Sequence, residues 1–162
     1  MSSPGISISN ENDEFVLRTE LVVSEKLNKV FDFFSDAGNL QLLTPDYLKF
    51  EITSPLPIEM KPGALIDYRL KLHGIPFNWQ TVIPEWSPPE YFVDRQKKGP
   101  YRYWIHRHEF EEHGEGTLVR DIVRYKVPGG AVINRLFVEK DLYKIFDYRS
   151  AKMVEQFGVP AS

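Results

Sequence analysis

The chain contains no cysteine in its 162 residues, which removes disulfides, thiol nucleophiles and every cysteine-based metal site by inventory alone. It also lacks an excess of positive charge. Lys and Arg total 20 against 23 Asp and Glu, a formal net charge of −3, and no basic stripe of the kind that backbone-driven nucleic-acid binding needs is present. Nucleic acid is therefore not an expected partner. No window approaches the roughly 18 consecutive apolar residues of a spanning helix. Residues Met1–Glu14 show neither the basic start nor the apolar run of a targeting signal, so the expectation is a cytoplasmic protein. A serine elbow, a phosphate-cradling glycine loop and a dinucleotide fingerprint are all missing: Gly114-Glu115-Gly116 fits a hairpin turn, and Pro128-Gly129-Gly130 opens a helix without the P-loop lysine. No cofactor is expected.

What is present is one domain's worth of alternating and helical pattern. A chain of this length buries about two thirds of its unfolded surface in a single core. Residues 1–13 are polar and read as a loose arm, 14–158 as one domain and 159–162 as a tail. From Phe15 to Val23 the apolar residues Phe15, Leu17, Leu21 and Val23 share one strand face. Ser24 offers a helix cap, and Leu27, Val30, Phe31 and Phe34 fall on one helical stripe. A shorter helical piece over 39–43 must stop before Pro45, because proline disfavours helical geometry at Thr44. Six strands follow, over 49–53, 64–73, 76–85, 91–97, 101–112 and 117–127, separated by glycine and proline breaks. Beyond Gly130 the residues Val138, Leu142, Ile145, Phe146, Met153 and Phe157 recur at three- and four-residue steps, which predicts a long amphipathic helix. The fold class expected is α+β: a bent antiparallel sheet of about seven strands wrapped around that helix, leaving a gap between them.

The strand through residues 101–112 carries the chemistry. Side chains alternate across a strand, so Trp104, His106, His108 and Phe110 share a face, two imidazoles between two aromatics. Such a mixture suits a semi-polar cavity wall. Asp121 falls on the next strand, across the Gly114 turn. Three readings of the histidine pair are open: a metal site, which needs three or four ligands; hydrogen bonding within the barrel; and ligand contact or proton transfer, since imidazole titrates near neutral pH. Arg149 lies four residues from both Ile145 and Met153, on or beside the buried stripe, and a buried guanidinium needs a partner. Asp121 and Asp94 are the candidates. Arg149 then either locks helix to sheet or fixes an anionic ligand group with its planar fork. Tyr68, Trp79, Tyr101, Tyr103, Trp104 and Tyr125 make the central strands aromatic, which fits ordinary strand packing and, at Trp79 and Trp104 above all, pocket lining. The apolar loop over residues 53–60 reads either as a lid or as a packed connection.

Several short motifs agree in order with a known family. Phe31-Asp32-Phe33-Phe34, Leu43-Thr44-Pro45, Asp67-Tyr68-Arg69, Gly74-Ile75-Pro76 with Trp79, Asp94-Arg95-Gln96, Gly99-Pro100-Tyr101, Trp104 with His106 and His108, Gly116-Thr117 with Asp121, and Phe146-Asp147-Tyr148-Arg149 resemble the START-like, or SRPBCC, superfamily. The resemblance is to its bacterial ligand-binding, polyketide cyclase/dehydrase-like branch, and it covers about residues 15–157. It implies a helix-grip fold and a hydrophobic cavity, and it offers no metal. The expected function is binding or carriage of a small hydrophobic molecule (lipid, isoprenoid or polyketide-like) contacted by Tyr68, Trp79, Trp104, His106, His108, Asp121, Tyr125 and Arg149. A cyclase or dehydratase using His106 or His108 as proton carrier, with Arg149 on an enolate, is the alternative. A protein-interaction module with a closed core and an exposed apolar patch is the third.

Overall fold

In a computed structural model describing residues 5–161, the chain forms one eight-stranded antiparallel sheet gripping a C-terminal helix. Strand β1 is Gly5–Glu11, β2 is Glu14–Val23, β3 is Glu51–Ile52, β4 is Leu65–Leu72, β5 is Ile75–Ser87, β6 is Tyr91–Lys98, β7 is Tyr103–His113 and β8 is Gly116–Lys126. Their spatial order is β1-β2-β8-β7-β6-β5-β4-β3. The segment between β2 and β3 thus carries the chain from one side of the sheet to the other. It does so through helix α1 (Leu27–Phe34) and two single 3-10 turns, Ala37–Gln41 and Asp46–Leu48. Irregular pairing of β5 with β6 near Gln80/Thr81 and Val82/Glu85 bends this long strand, as bulges do, and helps the sheet curl.

The loose arm expected over residues 1–13 is corrected for residues 5–11, which are edge strand β1. Asn12 and Asp13 both adopt left-handed backbone, φ 50° and 67°, the conformation that a two-residue hairpin turn requires and that Asn and Asp tolerate. Ile6 and Ile8 then alternate inward against the core, and Glu11 pairs with Arg18 at 2.6 Å. This raises the strand count from about seven to eight. Residues 1–4 of the expected arm and residue 162 of the expected tail lie outside the described residues; Val159–Ala161 have no regular structure.

Two other boundaries move for identifiable reasons. Helix α1 starts at Leu27 rather than after Ser24: Lys26 is the N-cap residue and no side chain caps it, while the Ser24 amide donates to the Gly158 carbonyl at 3.0 Å, tying the end of β2 to the end of the last helix. The helical piece expected over 39–43 starts earlier, at Ala37, since the Asp36 carboxylate accepts from the Gly38 amide. At the start of β8 a Cβ on Gly116 would sit 2.1 Å from the Val23 carbonyl oxygen, so β2 and β8 meet there at a distance only glycine permits.

The final helical rod runs from Gly130 to Phe157: α2 (Gly130–Ile133), a π-type turn over Asn134–Val138, and α3 (Glu139–Phe157). The inward face of α3 is Leu142, Phe146, Arg149, Ser150 and Met153. It packs on two clusters. One gathers α1 with Phe92, Phe110, Val119 and Met153; the other gathers Trp79, Trp104, Tyr125, Leu142 and Phe146. Among the described residues no helix is long and apolar enough to cross a membrane.

Candidate functional site

Between the concave sheet face and α3 lies a cavity of about 180 Å³, somewhat larger than an engineered apolar void of about 150 Å³ that accepts benzene. Its wall is aliphatic and aromatic, with Leu70, Ile83 and Phe146 beside Tyr68, Trp79 and Trp104. Tyr68 stacks on Trp79 with centroids 5.7 Å apart, and Trp104 meets Trp79 edge-on at 5.8 Å. Tyr68 and the Trp79 indole both hydrogen-bond to Thr81 Oγ1, at 3.3 and 3.1 Å, which satisfies their polar ends inside an apolar wall.

One polar cluster interrupts this lining, and strand register builds it. On β7, His106 lies directly opposite Asp94 of β6, and His108 lies opposite Asp121 of β8. The hydrogen bonds run diagonally instead. His106 Nε2 bonds Asp121 Oδ1 at 2.7 Å and His108 Nε2 bonds Asp94 Oδ2 at 2.5 Å, so each imidazole reaches the carboxylate facing its neighbour. The two rings stack at 3.6 Å, and Phe92 stacks on His108 at 4.1 Å. Arg149 enters from α3: Nε and Nη2 donate to Asp121 at 3.4 and 3.3 Å, and Nη2 donates to His108 Nδ1 at 3.2 Å. Thr19 Oγ1 donates to Asp121 Oδ2 at 2.9 Å.

These contacts settle the protons. A guanidinium has no acceptor, so His108 Nδ1 accepts from Arg149 and Nε2–H donates to Asp94; His108 is a neutral imidazole with both nitrogens engaged. Burial pushes its pKa down to about 4, with His106 and Arg149 acting the same way and Asp94 opposing. Burial pushes the Asp121 carboxyl up, yet Arg149 and the two histidines outweigh it and hold the group well below the usual carboxylate range. Asp94 is likewise lowered: burial raises it, and the two histidines and Arg149 overcome that. Both carboxylates are ionised at neutral pH, so His106 Nε2–H is the donor to Asp121.

His106 Nδ1 and Asp94 Oδ1 have no hydrogen-bond partner. Every fully buried side-chain nitrogen and oxygen among the described residues has one, so these two atoms are not fully enclosed; both residues line the cavity, and His106 Nδ1 lies 3.7 Å from Asp94 Oδ2. Asp94, His106 and His108 bring ligand atoms within 4.8 Å of one another. As a metal site the set is poor. His108 is occupied on both sides and a guanidinium lies against it, which leaves two free donor atoms where zinc takes at least three protein ligands.

Tyr68, Trp79, Trp104, His106, His108 and Arg149 line the cavity. Asp121 and Tyr125 do not, contrary to the expectation that they contact ligand. Asp121 stands behind the histidines as their anchor, and Tyr125 is fully buried with its hydroxyl donating to Asn134 at the π-type turn. Arg149's partner is Asp121 rather than Asp94, a contact that joins α3 to β8. The 53–60 loop is a packed connection for part of its length: the Thr53 amide and the Ser54 hydroxyl hold β4 at Asp67, and Met60 lines the cavity while Leu56 is exposed. The polar residue that sequence reasoning undervalued is Asp94. In the sequence it stands out only as an arginine partner, although alternation with Phe92 on the strand hairpinned to β7 is the signal that puts it beside the histidines.

The chain matches the family described as "Polyketide cyclase / dehydrase and lipid transport" over residues 23–151. Solved structures share the fold. A protein from Arthrobacter aurescens superposes with a TM-score of 0.71 at 11% identity, covering 96% of this chain and 93% of that one. Major latex-like protein 151 from Panax ginseng gives 0.65 at 11% identity, over 90% and 97%. A nucleoside-diphosphate sugar epimerase from Corynebacterium glutamicum gives 0.65 at 20% identity, over 85% of this chain and 28% of the epimerase. No curated protein matches in sequence.

Proposed function

The chain belongs to the polyketide cyclase/dehydrase and lipid transport family of the START-like (SRPBCC) superfamily, and on that premise we propose that it binds and carries a small hydrophobic molecule, a lipid, isoprenoid or polyketide-like compound, between the sheet and α3. The observation that carries this reading is the cavity itself: preformed, apolar on nearly all sides, with polar groups confined to one cluster, as small-molecule sites are built. A closed core would have favoured an interaction module; the cavity favours binding instead. Native mass spectrometry of gently purified protein tests the reading. The expected spectrum shows a non-covalent adduct, extractable into organic solvent and lost from a Trp104→Ala variant that retains its circular dichroism. A protein that emerges empty and also takes up no added N-phenyl-1-naphthylamine overturns it.

One observation favours a second, enzymatic reading: His106 lines the cavity with Nδ1 free of any hydrogen bond while Asp121 holds Nε2. In that reading His106 Nδ1 removes a proton from carbon next to a ligand carbonyl, the electron pair moves to the carbonyl oxygen, and the imidazolium is stabilised by Asp121. General-base catalysis of this type contributes about 10²–10⁴-fold. The expected result is accelerated deuterium exchange at C1 of 2-tetralone in D₂O, followed by proton NMR, falling at least about a hundredfold in His106→Gln. Exchange at the buffer rate with wild-type protein removes the reading. His108 has no free nitrogen and is not a candidate for this step.

A further inference from the structure

The first turns of the C-terminal rod carry exposed apolar side chains, and they adjoin the cavity whose binding function is proposed above, on which this inference rests. Val132, Leu136 and Phe137 are 64%, 50% and 52% exposed, and Ile75 on the β4–β5 hairpin is 58% exposed. Val132 and Leu136 lie four residues apart and so share a helix face, the one turned away from the buried Asn134, Leu142 and Phe146. Phe137 sits on the flank toward the hairpin, where its ring meets His73 edge-on at 6.4 Å. Ile75 pairs with Leu72 across that hairpin. The patch reaches the cavity wall: Leu72 and Ile145 line the cavity, and the next residue after Leu72, His73, bonds at 2.7 Å to Asp141, one turn before Ile145.

Charge distinguishes what this surface fits. Lys140 and Lys144 continue the stripe of Val132 and Leu136 at four-residue steps, with Arg135 beside it. All three are exposed and form no ion pair among the described residues. Of the carboxylates on the same turns, Asp141 is engaged by His73 and Glu139 is half-buried. The whole chain carries a net charge of −3, so this end stands out as a local excess of positive charge. Exposed apolar side chains flanked by lysine and arginine are what an interfacial helix presents to lipid headgroups. A second copy docked through the same patch about a twofold axis would bring these cations together.

We propose that this end of the protein docks on an anionic lipid bilayer, and that an apolar ligand passes between the bilayer and the cavity along the edge formed by Leu72 and Ile145. The order of residues along the rod sets the orientation. Its first turns, with Val132, Leu136 and Phe137, enter the headgroup boundary beside Ile75, while Lys140 and Lys144, one and two turns later, meet the lipid phosphates. Each basic residue near an anionic leaflet strengthens binding about fivefold.

The test is co-sedimentation of the whole chain with vesicles of phosphatidylcholine alone or with about one fifth phosphatidylglycerol. Binding is expected to be at least about tenfold tighter to the anionic vesicles and to weaken as salt is raised. Replacing both Leu136 and Phe137 by serine is expected to weaken it at least about tenfold, and the pair Lys140→Gln and Lys144→Gln to remove most of the preference for phosphatidylglycerol. No binding to anionic vesicles, or binding by both double variants as strong as wild type, overturns the inference. So does a dimer in sedimentation velocity that the serine variant dissociates, which gives the face to a second copy. None of the four substituted side chains lines the cavity, so uptake of N-phenyl-1-naphthylamine without vesicles reports the binding function separately: uptake by a protein that ignores vesicles overturns the docking surface alone, and absence of uptake counts against the binding function.

Discussion

Replacing Arg149 with methionine is expected to destabilise the protein by about 3–5 kcal/mol, the usual consequence of removing one partner from a buried ion pair, and to lower the melting temperature by roughly 6–20 °C for a domain of this size. The reason is what remains. Asp121 is 1% exposed, and without the guanidinium its charge keeps only the Thr19 hydroxyl and His106 Nε2 as partners. His108 loses the donor to its Nδ1 in the same step, so one side chain leaves two buried acceptors short. Methionine keeps the apolar length of the stem, which separates loss of charge from loss of packing. If Asp121 is also replaced by leucine, only part of the stability is expected to return, since the unpaired charge is removed but the Thr19 hydroxyl, His106 Nε2 and His108 Nδ1 remain without partners. A shift below about 2 °C in the single variant, measured by calorimetry at pH 7.5, would mean that Arg149 is not the lock between α3 and the sheet.

The second large effect is a loss of stability on mild acidification. His108 has its pKa lowered from 6.5 to about 4 by burial. Above pH 6.5 the imidazole is neutral in both the folded and the unfolded chain and contributes no pH dependence. Below 6.5 the unfolded chain takes up a proton that the folded chain refuses, so stability falls progressively until about pH 4, by up to roughly 3 kcal/mol. The carboxylates act in a lower window. Asp94 and Asp121 have depressed folded values, so their contribution is complete above the ordinary carboxylate range and is lost as pH falls from that range toward the lower folded values. Urea midpoints of wild type and His108→Gln at pH 7.5, 6.0, 5.0 and 4.5 distinguish the groups. The variant is expected to start less stable but to follow a flatter curve between 6.5 and 4.5; parallel curves would show that another group controls that window.

The sequence displayed most of the architecture because hydrophobic period is a local property. Leu142, Phe146 and Met153 mark the buried face of the last helix wherever it packs, and Trp104, His106, His108 and Phe110 mark one face of β7 by alternation alone. Position 149 on the same stripe was enough to predict a buried arginine with an acidic partner. The choice between Asp94 and Asp121 was not visible, because it depends on diagonal bonds across three strands and on how deep α3 sits in the grip. Tyr125 shares the inward parity of its strand, yet parity does not say whether a side chain ends at a cavity or beneath a helix; the π-type turn at Asn134 decides that. Strand β1 escaped because its apolar residues are only Ile6 and Ile8, and a polar edge strand differs little from an arm until Asn12 and Asp13 are recognised as a turn.

The binding cavity is tested most directly by the three indole N–H resonances in a ¹H–¹⁵N spectrum during titration with N-phenyl-1-naphthylamine, the Trp86 signal being assigned from Trp86→Phe. Trp79 and Trp104 line the cavity, whereas Trp86 packs outside it against Phe31 and Phe92. The expected result is saturable movement of the Trp79 and Trp104 signals with that of Trp86 fixed. Movement of Trp86 alone, or no movement of any of the three at saturating ligand, would contradict a binding site between the sheet and the C-terminal helix.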